Sequence, residues 1–156
     1  MFLKISKMSI KQISVFLENK SQRLSKALSI LGNEKINIAA MSIADTSEYG
    51  ILRLIVSDPL KSFNLLKENE FSVNLTDVIG LETPIAVGSF ANTLKYFSDE
   101  NISIEYMYAF ASCNKGVIIM RTSDRQKSFE VIKKYNLKLI SLEDIFSNIE
   151  IKKQGN

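Results

Sequence analysis

The chain has 156 residues, 46% of them hydrophobic, with 20 Lys+Arg against 17 Asp+Glu for a net charge of +3. That length suits one ordinary domain or two small ones, the apolar content supports a packed core, and the weak basic bias, much of it from terminal lysines, is a solvated tail rather than a nucleic-acid groove. With no histidine and one cysteine, Cys113, the commonest general base, an intramolecular disulfide and a cysteine-based metal cluster are excluded.

Residues 1–10 read as an N-terminal extension. Lysines interrupt its apolar stretch, so it has no signal-peptide core, and no run approaches the ~20 apolar residues of a membrane span. The expectation is a cytoplasmic protein with no membrane partner. Residues 11–18 alternate, with Ile13, Val15 and Leu17 on one side and Ser14 and Phe16 on the other, which predicts a strand. Residues 21–32 set Leu24, Ala27, Leu28 and Leu31 at helical spacing, with Ser21 as N-cap and Gly32-Asn33 as the stop. Two β-rich runs, 36–45 and 49–57, flank a loop. Asp58-Pro59 then opens a helix that runs to about Asn69, and residues 72–77 form a last strand.

The same order follows again. A strand at 77–83 leads through the loop 84–88 into a helix carrying Phe90, Leu94 and Phe97. Strands at 102–110 and 116–122 come next, then a helix capped by Asp124 with Phe129 and Ile132 inside, and a strand near 137–140. Ser141-Leu142-Glu143-Asp144 starts a short capped helix, and 151–156 is a frayed tail.

The two halves are copies. Residues 11–75 lie on 77–141 without a gap, pairing Ile36 with Ile102, Gly50 with Gly116, Asp58 with Asp124 and Phe63 with Phe129. The predicted modules are 11–76 and 77–141, with 142–156 as a C-terminal helix and tail. A βαββαβ unit folds as a four-stranded antiparallel sheet with both helices on one face, so the fold class is α+β. This predicts one bare sheet face per module, with Phe16 and Ile55 in the first and Val117 and Ile119 in the second. Grouped exposed apolar residues call for a covering partner or a homodimer.

Each half resembles an ACT domain, and the whole resembles a stand-alone tandem ACT-domain protein of the amino-acid-binding regulatory kind. In the first half the resemblance rests on Leu17-Glu18-Asn19-Lys20-Ser21-Gln22-Arg23-Leu24, Asn37-Ile38 and Tyr49-Gly50. In the second it rests on Val87-Gly88-Ser89-Phe90, Ile102-Ser103-Ile104 and Lys115-Gly116. It implies two ferredoxin-like modules side by side, their antiparallel sheets joined with the helices on one face. It also implies a small amino acid bound at the seam, with no cofactor and no metal. One site would use Glu18, Asn19, Lys20, Ser21, Gln22, Arg23 and Leu24 with Ser103, Ile104 and Tyr106 opposite. The other would use the loop of Pro84, Val87, Gly88, Ser89 and Phe90 with Asn37 and Ile38 opposite. Helix N-terminal amides suit the ligand's carboxylate. Gln22 stands where the family often has glycine, which narrows the first site, whereas Gly88 keeps the second open.

The function that follows is a sensor or regulatory subunit rather than an enzyme, its output passing through a metabolic enzyme or other effector protein. Two alternatives stand beside it: an assembly protein with closed sites, and a small ferredoxin-like enzyme. The enzyme reading lacks a nucleophile with an adjacent base. Cys113, in a hairpin loop without an activating base, is read as an inert thiol.

Overall fold

The computed structural model describes residues 8–18, 21–45 and 49–151. In chain order its elements are β1 Ile10–Glu18, α1 Ser21–Asn33, β2 Ile38–Asp45, β3 Tyr49–Val56, α2 Pro59–Glu68, β4 Ser72–Pro84, α3 Ser89–Asp99, β5 Ile104–Ser112, β6 Lys115–Thr122, α4 Arg125–Lys134, β7 Lys138–Leu139 and α5 Leu142–Ile151. They make two compact units, one of Lys11–Asp77 and one that runs from Val78 and includes Ile10. The strand order is β2-β3-β1-β4 in the first and β7-β4-β6-β5 in the second. The two strands expected at 72–77 and 77–83 are one strand of 13 residues, β4, which closes the first sheet and opens the second.

Strand alternation decides the core of each unit. Ile13, Val15 and Leu17 of β1 and Leu52, Leu54 and Val56 of β3 point to one side, where Ala27 and Leu31 of α1 and Leu66 of α2 meet them. In the second unit Ile79 and Leu81 of β4 and Ile118 and Met120 of β6 meet Phe97 of α3 and Phe129, Val131 and Ile132 of α4. A period of two in the strands and a spacing of three to four in the helices produce both cores. Phe90 departs from expectation: it is 44% exposed, about two helical turns before Phe97, which enters the core.

The helix ends are built alike in both copies. Residues Lys35, Glu70, Asn101 and Asn136 each take a positive φ, between 50° and 62°. After each of them the chain donates back into the helix: Ile36 N–H to the Leu31 carbonyl at 3.0 Å, Phe71 to Leu66 at 3.0 Å, Ile102 to Phe97 at 2.9 Å and Leu137 to Ile132 at 2.9 Å. These are Schellman ends with an apolar pair at donor and acceptor. α1 ends at Asn33, within the stop expected at Gly32-Asn33, but the left-handed turn falls on Lys35 rather than on the glycine, which lies inside the helix. At the other end, Asp58 and Asp124 cap α2 and α4 by accepting from Lys61 N–H at 3.0 Å and Lys127 N–H at 2.9 Å.

The bare sheet faces do not occur as expected. Val117 is 1% exposed, and Ile119 and Ile55 are fully buried. In the second unit the cover comes from the chain itself. Helix α5 packs on β5 and its Ile145 is fully buried. A Cβ on Gly80 would come within 2.6 Å of Ile10 Cδ1 and 2.9 Å of the Ile140 carbonyl, so only glycine lets these residues close over the sheet. Ser141 and Asp144 cap α5 reciprocally: the Asp144 N–H donates to Ser141 Oγ at 3.1 Å, and the Ser141 N–H donates to Asp144 Oδ2 at 3.0 Å. The Ser141 hydroxyl and N–H hold the Asp144 carboxyl below its ordinary value. The aromatic stripe Tyr106, Tyr108, Phe110 lies on this covered face, since Tyr108 pairs with Ile119 and Phe110 with Val117.

On the same face Glu82 accepts from Lys115 at 2.8 Å and Lys138 at 2.9 Å. The Lys115 hydrogen bond, ahead of Lys138, lowers the Glu82 pKa. Glu100, at the end of α3, is lowered chiefly by its hydrogen bond from Lys134.

Two predictions follow from these contacts. Moving the glycine to where the backbone needs it, as Gly32→Ala with Lys35→Gly, removes a helix-interior glycine and an αL side chain together and raises stability by about 1 kcal/mol, read from urea unfolding. Because Glu82 has a depressed folded pKa, its contribution is present above the ordinary value of 4.5 and is lost as pH falls through the lower folded value. Glu82→Gln is therefore expected to flatten the acid limb of the thermal midpoint below about pH 4.5.

Candidate functional site

In the first copy the candidate loop starts where β1 ends, with Glu18 opposite Tyr49. Asn19 and Lys20 lie outside the described residues, as does the side chain of Ser21. Gln22 is exposed. Leu24 packs on the first core. Arg23 turns to the end of the sheet. Its guanidinium stacks on Phe71 at 4.0 Å and its Nη2 donates to the Glu70 carbonyl at 3.0 Å. Its Nε is buried and has no hydrogen-bond acceptor among the described residues. Glu18 and Arg23 line a cavity of about 270 Å³ with Phe16, Tyr49, Glu70 and Ser72.

In the second copy the loop is open. Pro84 ends β4, Val87 is fully exposed, and Gly88 has a φ of 82° with nothing within 4 Å of a Cβ placed on it. A left-handed residue at the N-cap is a position for glycine. Ser89 donates to the Ala86 carbonyl at 3.1 Å. No side chain caps α3, unlike α2 and α4, so its first turn meets solvent with its amides uncapped by any side chain. The Phe90 ring approaches to 3.2 Å of where a Cβ on Gly116 would sit, and so closes the inner side of this loop.

The second strands begin in matching brackets. Asn37 N–H donates to Ser57 Oγ at 3.0 Å, and Ser57 N–H returns to the Asn37 carbonyl at 2.9 Å. Ser103 and Ser123 do the same at 3.2 and 2.9 Å. These bonds hold the backbones of Asn37 and Ser103 while both residues remain exposed. Ile38 and Ile104 pack on their own cores. Ser103 and Ile104 line an open groove of about 630 Å³ with Leu94, Lys95, Ser98 and Asn101. Tyr106 is not in that groove, because a register shift between Ile104 and Tyr106 sets it on the opposite face.

Each copy therefore brings part of its predicted set together: Glu18 with Arg23, Gly88 with Ser89 and Phe90, Ser103 with Ile104. Sequence reasoning missed Phe16, Tyr49, Glu70 and Ser72. The available signal was their replacement in the other copy by Glu82, Lys115, Asn136 and Lys138. These groups donate, accept and stack, which suits holding a small zwitterion. Among the described residues no cluster of three or more His, Cys, Asp or Glu is placed to hold a metal. Cys113 is exposed and forms, with Asn114, a hairpin turn in which both have positive φ, as a two-residue type I′ turn requires. Among the described residues no helix is long and apolar enough to cross a membrane.

Comparison with known proteins agrees with this architecture. No curated protein matches the chain. A solved protein from Bacteroides thetaiotaomicron is 44% identical, with a TM-score of 0.84 over 89% of this chain and 96% of that one. The ligand-free regulatory subunit of aspartate kinase from Thermus thermophilus shares the fold at 10% identity, with a TM-score of 0.60 over 81% of this chain and 92% of its own. The corresponding subunit from Thermus flavus does so at 12% identity, with a TM-score of 0.58 over 91% and 94%. The family model described as ACT domain pair matches residues 8–149, and the chain belongs to that family.

Proposed function

We propose that the chain is an amino-acid-responsive regulatory protein, not an enzyme, working in the cytoplasm as a homodimer. A small amino acid binds at a seam between ACT modules, where the loop before the first helix of one meets the start of the second strand of another. The observation that carries this reading is the open start of α3. There Gly88, with no neighbour within 4 Å of its Cβ position, leads into a helix without a side-chain cap. Uncapped amides at a helix start favour a carboxylate. The exposed Asn37 and Ser103 side chains, on backbones held by Ser57 and Ser123, supply polar partners from the strand side.

Each second strand, β2 and β5, is the edge strand of its own sheet, as a seam through these strands requires. Met41 at 48% and Ile43 at 51% exposure on β2 support a partner there, in place of the bare faces from which a dimer was first expected. Similarity to the regulatory subunits of aspartate kinase supports an output through a metabolic enzyme.

A thermal-shift screen of the proteinogenic amino acids tests this. One of them is expected to raise the midpoint in a concentration-dependent way, and a flat response to every amino acid sinks the reading. Asn37→Ala is expected to weaken that ligand about tenfold and to leave the ligand-free midpoint unchanged, since only the backbone of Asn37 is bonded to Ser57.

A further inference from the structure

The cavity at the end of the first sheet lies within one ACT module and owes nothing to a seam. It is lined by Phe16, Glu18, Arg23, Tyr49, Glu70 and Ser72 and holds about 270 Å³. The matching positions of the second copy carry other chemistry. Where the first carries Phe16, Tyr49 and Ser72, the second carries Glu82, Lys115 and Lys138, tied together by ion pairs of 2.8 and 2.9 Å. One position in a duplicated fold thus carries a salt-bridge cluster in one copy and lines a hollow in the other.

The walls of the hollow are chemically sorted. Phe16 and Tyr49 form an apolar side, with ring centroids 6.0 Å apart and tilted. Arg23 forms a cationic side. Its stack on Phe71 and its bond to Glu70 fix the guanidinium, while the buried Nε keeps a donor unused among the described residues. A buried donor without an acceptor is costly, so the guanidinium is held beside the cavity against that cost. Glu18, at the end of β1, puts a carboxylate beside these groups.

We infer that this cavity is a second ligand site, separate from the seam, for an α-amino acid with an aromatic or branched apolar side chain. The ligand carboxylate faces the Arg23 guanidinium, the ammonium faces Glu18, and the side chain lies against Phe16 and Tyr49. The cavity is just below the ~300 Å³ at which drug-sized sites begin, which suits a free amino acid. Of the residues expected at the seam, Glu18 and Arg23 belong here instead.

Titration of the full chain with L-phenylalanine and with L-leucine, followed by calorimetry and by amide and arginine Nε–H NMR, tests the assignment. Shifts are expected at the Arg23 Nε–H and at Phe16, Tyr49 and Ser72. Arg23→Met keeps an apolar stem over Phe71 and loses the donor, so affinity is expected to fall about tenfold or more. Phe16→Glu/Tyr49→Lys/Ser72→Lys copies the charged arrangement that the second module already folds with, and is expected to abolish these shifts with the fold intact. Phenylpropionate is expected to bind more weakly than phenylalanine, with the gap closing in Glu18→Gln; equal affinities in the unaltered protein would overturn the role given to Glu18.

A cavity response that survives Asn37→Ala supports a site apart from the seam. Shifts confined to residues 37–38 and 86–90, with Arg23→Met unchanged, would overturn the cavity site and leave the seam reading standing. Absence of any response to either compound overturns the cavity site as well, and the wider amino-acid screen then decides the seam by itself.

Discussion

Each of the helices α1 to α4 is followed by a left-handed residue that drops the next apolar side chain into the core, and the rest of the architecture hangs on that constraint. Lys35, Glu70, Asn101 and Asn136 turn the chain, and Ile36, Phe71, Ile102 and Leu137 follow them inward. An αL side chain costs roughly 1–2 kcal/mol, so four such residues, none of them glycine, persist only because packing outweighs the strain. The turn also sets where the next strand starts. Asn37 follows Ile36 and Ser103 follows Ile102, so the bracket to Ser57 or Ser123 closes one residue beyond the buried apolar side chain. The candidate polar groups at the strand starts are therefore placed by helix termination, two links away from any ligand.

Much of this was legible because it obeys local rules. Alternation in β1, the helical stripe of α1 and the Asp58 and Asp124 caps all depend on residues within a few positions of one another. What was not legible depended on distant ones. Nothing near Gly32 says that the left-handed turn falls on Lys35, since its place is decided by whether Ile36 or an earlier residue reaches the core. The continuity of β4 could not be read because a change of sheet leaves no mark in a strand's own alternation. The cover over Val117 and Ile119 came from α5, Ile10 and Ile140, and Gly80 showed its purpose only once Ile10 and Ile140 were seen against it. Tyr106 was assigned to the wrong face because a register shift after Ile104 reverses the alternation that the strand began with.

The candidate loops were half legible for the same reason. The open start of α3 could be read from Gly88, a residue type that a left-handed N-cap demands. The hollow beside Arg23 could not, because it is made by three strands and the turn after a helix, and no segment of the chain contains its pattern. Only the comparison of the two copies carries the signal, and it does so in chemistry rather than in spacing: two aromatics and a serine against one glutamate and two lysines.

That exchange bears on why the copies differ at all. The Glu82 cluster is partly exposed, with Lys115 and Lys138 at 48% and 64% side-chain exposure, and ion pairs of that kind contribute only about 0–1 kcal/mol. Two half-exposed aromatics over a cavity contribute little more, since the space beside them forfeits contacts that a filled site would make. Stability thus has little preference between the two arrangements, whereas it has a strong one at Ile36, Asp58 or Gly80, where cap, turn or close approach leaves few choices. Divergence between the copies is free to accumulate where the fold is nearly indifferent. At such a place Arg23 is held by its stack on Phe71 and its bond to the Glu70 carbonyl, while its buried Nε keeps a donor unused.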